Sequence, residues 1–593
     1  MARRIYLPGG DSPNVNPARI EEEFPAPSYR GNQQAALGEI REAFAAGNDV
    51  VLVRAPTGSG KSLLARAIAG CAVRADEATP AEPVGAYYTT PQVSQLDDVA
   101  ADPLLSDLQV IRGKRNYTCL VAGETDTPVD RAPCARETGF DCSIKHRCPY
   151  FSDRTIASNR SVAAMTLAYF MQTAGSDAFG QRDVAVIDEA HGLAEWAEMY
   201  ATIDLRPDTV PVWDELSIPD IDGAEAAARF ADRLSGVCGR RKDTLVGADE
   251  LTIAEVTERD RLQELISNLD WFVSDYRDPG SASTWIVDQP GGESSSVTIK
   301  PLNPERYLQH TVWDRANNFA LLSATILDKE GFCRGVGLDP DDAALIDVSH
   351  TFPVENRPLY DVTQGKMTYE HRDETLPEIA RLIVRLMAHH ADEKGIVHAH
   401  SYAIAERLVD RLREFGVDGR VRTHDRENRD AALETWLATD DPELFVAVKM
   451  EEALDLEGDL ARWQVLCKAP YPNTRDSRVA RRLEEGQWGW YYRTALKTVI
   501  QACGRVVRAP DDRGATYLAD ASLLDLFDRS RGAMPEWFAA QVDRMSRPEL
   551  PAFDPGAAGG DGGTNGTTTA SRRTRRSRSD PDDHPLADVW GSD

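Results

Sequence analysis

The sequence predicts an α/β chain with two blocks of parallel sheet. Three observations carry that expectation. Short β-branched runs alternate with amphipathic helical patterns from about Arg30 to Tyr200. The same pattern returns over 346–545, and an acidic stretch of different character stands between the two. A chain of 593 residues is too long for one core, and its 42% apolar content can fill several.

Residues 1–24 read as a polar arm. MARRIYLPGGDSPN has no apolar stretch of the signal-peptide kind, and no 18-residue apolar run predicts a membrane span. The first block is expected in three parts, 25–111, 153–200 and 301–345, with strands at 50–55, 84–89, 184–187 and 319–322. Residues 112–152 interrupt it with polar loop sequence holding four cysteines. Residues 201–300 carry 20 Asp/Glu against 10 Lys/Arg, and Leu262, Leu265, Ile266, Leu269 and Phe272 recur at helical spacing. A mainly helical insertion is expected there. The second block, 346–545, has strand runs at 395–400, 445–448 and 465–468. The tail, 546–593, is expected to be disordered, being rich in Gly, Thr and Arg from Gly556 onward.

Net charge is −29, yet only 11 of the 67 basic residues are lysine. Abundant Asp/Glu with scarce lysine is similar to proteins of salt-loaded cytoplasms, where an acidic surface maintains solubility. On that reading the acidity reports habitat, as in a halophilic archaeon or its mobile elements. The competing reading is an acidic interaction protein without catalysis. Nine cysteines suit a reducing, cytoplasmic compartment. Cys71, Cys238, Cys333, Cys467 and Cys503 are isolated in apolar patterns and read as core.

The chemistry-bearing residues begin after the 50–55 strand. Pro56-Thr57-Gly58-Ser59-Gly60 precedes Lys61-Ser62 at a helix start. Glycines let backbone N–H groups curl around phosphate oxygens, and the helix N-terminus adds positive charge. Lys61 then reaches the β- and γ-phosphates of ATP, and the Ser62 hydroxyl ligates Mg²⁺. Val184–Ile187 runs into Asp188-Glu189-Ala190-His191, 127 residues after Lys61. Asp188 is the candidate Mg²⁺ carboxylate, Glu189 polarises the attacking water, and His191 links nucleotide state to the neighbouring domain. Ser323-Ala324-Thr325 ends another apolar strand. Gln501-x-x-Gly504-Arg505-x-x-Arg508 puts two arginines on one helical face, as arginine fingers require.

Together these motifs resemble superfamily 2 helicases, and the cysteine insert narrows the resemblance to the XPD/DinG-type iron–sulfur DNA helicases, over about Tyr29 to Asp520. Its most specific stretch is Arg112-Gly113-Lys114-Arg115-Asn116-Tyr117-Thr118-Cys119, with Cys148-Pro149-Tyr150 at the exit. Arg30-x-x-Gln33 resembles the adenine-side element. Thr89 and Thr90 stand at a backbone-contact position of the first motor domain. Glu452-Ala453-Leu454-Asp455 with Gly458 resembles a coupling segment, and His400-Ser401-Tyr402 a strand-end serine. Ala453 departs from the family's glycine, and Ala168-Tyr169 from its Asn-Tyr. The resemblance implies two RecA-like motor domains, with a cluster insertion and an Arch-like insertion in the first. It also implies 5′→3′ movement on single-stranded and forked DNA.

Cys119, Cys134, Cys142 and Cys148 are spaced by fourteen, seven and five residues. Zinc sites usually show close Cys-x-x-Cys pairs, and none occurs here. Wide gaps closing on Cys-Pro suit a 4Fe-4S cluster, with zinc or unligated thiols as alternatives. His398 and His400 share a strand face and read as strand residues in preference to a metal site. Trp488, Trp490, Tyr491 and Tyr492 read as core packing of the helix that follows, with base stacking the lesser alternative. Five arginines at 572–578 and the terminal Pro-Leu-Ala-Asp-Val-Trp read as a solvated tail or a docking segment for a protein partner.

Overall fold

The computed structural model describes residues 17–72, 85–159, 161–176, 178–280, 284–289, 296–448, 460–507 and 509–559. The chain forms two compact units. One comprises the chain through Arg54, Gly60–Asp347 and Thr474–Gly486, and the other Ala55–Ser59, Val348–Asn473 and Gln487 onward.

In chain order the first unit's strands are β1 Val50–Arg54, β2 Ala86–Thr90, β3 Gln109–Val110, β4 Val162–Thr166 and β5 Arg182–Ile187. They continue as β6 Ile203–Leu205, β7 Trp285–Asp288, β8 Val297–Pro301, β9 Ala316–Ser323 and β10 Ala343–Asp347. Seven make a parallel sheet in the order β10-β1-β9-β5-β2-β4-β3. Helices cover both faces of such a sheet, so its strands read as near-continuous apolar runs. Val50, Val51, Leu52 and Val53 of β1 and Val184, Ala185, Val186 and Ile187 of β5 are accordingly all buried. Neighbouring β1, β9 and β5 bring the phosphate loop, the Ser-Ala-Thr turn and the Asp-Glu-Ala-His box to one sheet edge. That carboxyl end is where open parallel sheets bind ligands.

The 201–300 insertion is helical at its centre, with helices Ala224–Val246 and Ile253–Arg277. Thr252 and Glu255 cap the second reciprocally, the Thr-x-x-Glu box that stops fraying at a helix start. The structure adds an antiparallel sheet, β6-β8-β7, that the helical expectation lacked. Its strands are three to five residues long and lie at the insertion's two ends, too short for an alternation signal. Val256, Leu262, Leu269, Phe272, Val297 and Ile299 close one core between helices and sheet.

The second unit holds β11 Leu359–Gly365, β12 Gly395–His398, β13 Val421–Thr423, β14 Leu444–Ala447, β15 Trp463–Leu466 and β16 Ala515–Asp520. These form a parallel sheet in the order β11-β16-β15-β12-β14-β13. Both parallel sheets, with their flanking helices, are RecA-like α/β domains.

Three boundaries differ from expectation. Ala55–Ser59, read within the first block, groups with the second unit. Thr474–Gly486, within the span read as the second block, packs with the first unit. The tail expected to be disordered from 546 is ordered through residue 559. The Asp361 N–H donates to the Ser546 carbonyl at 2.9 Å, Arg385 donates to the carbonyls of Leu550 and Pro551, and Ala558 is fully buried. These tethers are long-range and leave no periodic signal. Residues 560–593, with the arginine tract and the terminal segment, lie outside the described residues. Among the described residues no helix is long and apolar enough to cross a membrane.

Candidate nucleotide and cysteine sites

β1 ends at Arg54, whose Nε donates to Asp347 Oδ1 of β10 at 3.0 Å. The loop then folds on itself, the Ser59 N–H and hydroxyl reaching the Pro56 carbonyl at 3.3 and 2.7 Å. Gly58 and Gly60 take φ of 80° and 79°, a region open to glycine at little steric cost. Gly60 begins helix Lys61–Gly70 with no side-chain cap, so first-turn N–H groups stay available to an anion. A Cβ at Gly60 would stand 2.3 Å from Gln33 Nε2, while Gln33 Oε1 accepts from the Arg30 N–H at 2.8 Å. Gln33, one of the two adenine-side candidates, thus sits against the last glycine of the loop.

Lys61 Nζ lies 3.3 Å from Glu189 Oε1. Glu189 Oε2 lies 3.2 Å from His191 Nδ1, and that nitrogen is 2.8 Å from Ser323 Oγ. Ser323 Oγ also accepts from the Thr325 N–H at 3.0 Å. One polar chain therefore links the ends of β1, β5 and β9. Glu189 sits at φ 49°, and a non-glycine residue held there stores on the order of 1–3 kcal/mol. Burial, then the Glu189 charge, pushes the Asp188 carboxyl up to about 6, against the pull of Lys61 and the Glu189 N–H. Burial, then Asp188, pushes the phenol of buried Tyr88 on β2 well up, against a pull from the Ser62 hydroxyl. Asp188 and Ser62 make the hard-oxygen donor set that suits Mg²⁺. Sequence reasoning missed Tyr88, whose aromatic ring passes for ordinary strand filling.

In the second unit, Gln501 is buried near the end of helix Trp488–Cys503, and Arg505 follows it. Arg508, Glu452, Asp455 and Gly458 lie outside the described residues. Ser401 caps helix Tyr402–Glu414 by accepting from the Ile404 N–H, and His400 before it takes φ 67°. His398 Nε2 meets Gln464 Oε1 at 3.1 Å inside the sheet, as a strand residue would. The aromatic run departs from the core reading. Ala495, Leu496, Val499 and Ile500 fill the core, whereas Trp488 is 49% exposed and Tyr491 stacks on Tyr471 at 5.2 Å.

The cysteine segment is tied down at both ends. The Cys119 N–H donates to the Thr127 carbonyl at 2.8 Å. Tyr117 accepts from the Arg112 N–H and donates to Asp153, and the Tyr150 and Tyr169 hydroxyls meet at 3.2 Å. Across to the insertion, the Leu251 N–H donates to the Arg136 carbonyl and Arg259 to that of Ala135. Desolvation raises the Cys134 thiol, Lys114 lowers it, and Cys119, Cys148 and Cys142 each raise it, so the four sulfurs share one electrostatic neighbourhood. Among the described residues no group of three or more His, Cys, Asp or Glu side chains is arranged to hold a single metal ion.

Residues 383–541 match the helicase C-terminal domain family. Regulator of telomere elongation helicase 1 of Homo sapiens is 32% identical over 116 residues, covering 16% of this chain and 9% of that protein. The ATP-dependent DNA helicase DinG of Photobacterium profundum is 23% identical over 261 residues, covering 41% and 37%. These matches span less than half the length of the curated relatives. A solved structure described as an XPD helicase aligns over 86% of this chain and 98% of its own, with TM-score 0.57 and 18% identity. An apo XPD structure aligns over 84% and 98%, with TM-score 0.51 and 17% identity. The chain thus carries a match to the helicase C-terminal domain family over 383–541, a stretch similar to DinG, and a fold like that of the XPD structures.

Proposed function

We propose that the chain is an ATP-driven DNA helicase that moves on single-stranded DNA and opens forked duplex, with 5′→3′ polarity by family resemblance. The polar chain from Lys61 through Glu189 and His191 to Ser323 supports this reading most, because it joins three motifs that a nucleotide motor must coordinate. Backbone groups of Thr57, Gly58, Ser59 and Gly60, with Lys61, would hold the phosphates, and Arg30 and Gln33 the adenine side. Ser62 and Asp188 would hold Mg²⁺, which offsets phosphate charge. Glu189 then polarises a water that attacks the γ-phosphorus. A new P–O bond forms, the bond to the bridging oxygen of ADP breaks, and the water proton passes to Glu189. Gln501, Arg505 and Arg508 are the second unit's candidates for stabilising the transferred phosphoryl, and Asp455 for nucleotide contact.

Cys119, Cys134, Cys142 and Cys148 would hold a 4Fe-4S cluster, which supplies covalent ties to a segment with little core of its own. Single-stranded DNA would find base-stacking surface on Trp488, Tyr471 and Tyr491, at about 1–3 kcal/mol per base. Such stacking suits a salt-adapted protein, because phosphate contacts weaken steeply as salt rises. A cytoplasmic setting and a protein partner for the tail complete the proposal.

The test is a forked duplex with one labelled strand, incubated with ATP and either the wild type or Lys61→Ala. Strand release by the wild type alone supports the helicase. ATP hydrolysis without release indicates a translocase that displaces proteins or resolves RNA–DNA hybrids. Equal phosphate release by both proteins indicates a non-catalytic interaction protein.

A further inference from the structure

The helix Ser477–Glu484 belongs to the first unit, yet its chain neighbours on both sides belong to the second. What holds it is a closed set of charges. Glu198, at the far end of helix Leu193–Tyr200, receives Arg478 Nη1 on Oε2 at 3.1 Å and Arg482 Nη2 on Oε1 at 2.5 Å. The same two guanidinium groups donate to the Pro301 and Leu302 carbonyls at the end of β8, at 2.9 and 2.7 Å. Asp476 caps the helix and bonds Lys300 at 3.0 Å. Glu198 and Arg482 are buried.

Burying one arginine and half-burying a second on one carboxylate is an expensive way to gain stability, since apolar residues of similar volume usually do as well. What charges add is register: each guanidinium has fixed partners, and a one-turn slip would put one arginine in the other's place and leave the second without its partners. The location of this register device is informative. Helix Leu193–Tyr200 starts two residues after His191, so it is the rigid continuation of the Asp188–His191 box. At the other end, Gly486 sits at φ 80° with open space where a Cβ would be, and helix Trp488–Cys503, which carries Gln501, begins two residues later.

We propose that Glu198, Arg478 and Arg482 form a clamp of positioning residues that transmits the state of the nucleotide box to the helix bearing Gln501. The inference rests on the ATP-driven reading above. Displacement of the box moves Glu198 as one body with its helix. The clamp carries Ser477–Glu484 along, and the chain pivots at Gly486.

The test uses the full chain and compares wild type with Glu198→Gln, which keeps the shape and removes the charge. Hydrogen exchange of the 474–486 peptide is measured with and without Mg²⁺ and a non-hydrolysable ATP analogue. The wild type is expected to change exchange in this peptide at least threefold on binding nucleotide, and Glu198→Gln to lose that change. In steady state, Glu198→Gln should keep its KM for ATP and its DNA-free rate within about twofold. Its stimulation by oligo-dT should fall about tenfold. Arg482→Lys, which retains the charge, should recover part of it. A wild-type peptide blind to nucleotide overturns the proposal. So does a Glu198→Gln protein with full stimulation, or one whose basal and stimulated rates fall in equal proportion. Failure of Glu198→Gln and Arg482→Lys to fold would assign the cluster to folding alone and also overturn it. Absence of DNA stimulation in the wild type counts against the helicase reading, and the exchange measurement still decides the clamp.

Discussion

His191 Nδ1 lies 2.8 Å from Ser323 Oγ, joining the end of β5 to the end of β9. The contact is buried, so neither group has water as a substitute partner. Removing one member of such a pair costs about 1–3 kcal/mol for the group left behind. Ser323→Ala should therefore lower stability by about that amount. It should leave KM for ATP near wild type while the DNA-stimulated rate falls roughly tenfold. Steady-state phosphate release with and without oligo-dT checks this, and an equal loss in both would place the serine in hydrolysis itself.

Glu189→Gln keeps the size of the side chain but removes the acceptor for the water proton. General-base catalysis is worth about 10²–10⁴-fold, and phosphate release should fall within that range. Nucleotide binding, followed by titration with a fluorescent ATP analogue, should persist.

Gly60→Ala is strained twice. Its φ of 79° disfavours a Cβ, and that Cβ would meet Gln33 Nε2 at 2.3 Å. We expect ATP affinity to fall at least tenfold. Isothermal titration of wild type and Gly60→Ala with an ATP analogue checks this.

Cys142→Ser should abolish iron and sulfide in anaerobically purified protein, since a serine oxygen is a poor cluster ligand. Strand release from forked duplex should be lost, while the DNA-free hydrolysis rate stays within about threefold. Wild-type protein that is colourless and iron-free yet unwinds normally would remove the cluster from the account.

His350 supplies the pH dependence. Burial, then Arg357, pushes its imidazole down to about 3, and its Nδ1 accepts from the Phe352 N–H, which requires the unprotonated ring. The unfolded chain binds this proton below about pH 6.5, so folded-state stability declines as pH falls from about 6.5 towards 3. Between pH 7 and 5, wild type should lose on the order of 1–2 kcal/mol more than His350→Gln in urea unfolding. Identical losses would show that the histidine is not held neutral.

Much of the site is legible in the chain because its motifs are local. A strand that breaks into glycines before Lys61, and one that ends in Asp188-Glu189, state their chemistry within a few residues. The helical core of the insertion is legible for the same reason, through Leu262, Leu265 and Leu269. Trp488 was misread because an aromatic ring has the same sequence signature whether it fills a core or faces solvent. The ordered stretch to residue 559 was hidden because Arg385 holds it through carbonyls that any sequence would provide.

The amino-acid order alone determined the two parallel sheets and the nucleotide motifs, since backbone geometry and phosphate chemistry act over short spans. Tertiary structure alone decided that His191 meets Ser323, that Glu198 receives Arg478 and Arg482, and that Thr474–Gly486 joins the first unit. Those partners lie more than a hundred residues apart, and only closing the chain on itself selects one charge from many equivalent ones.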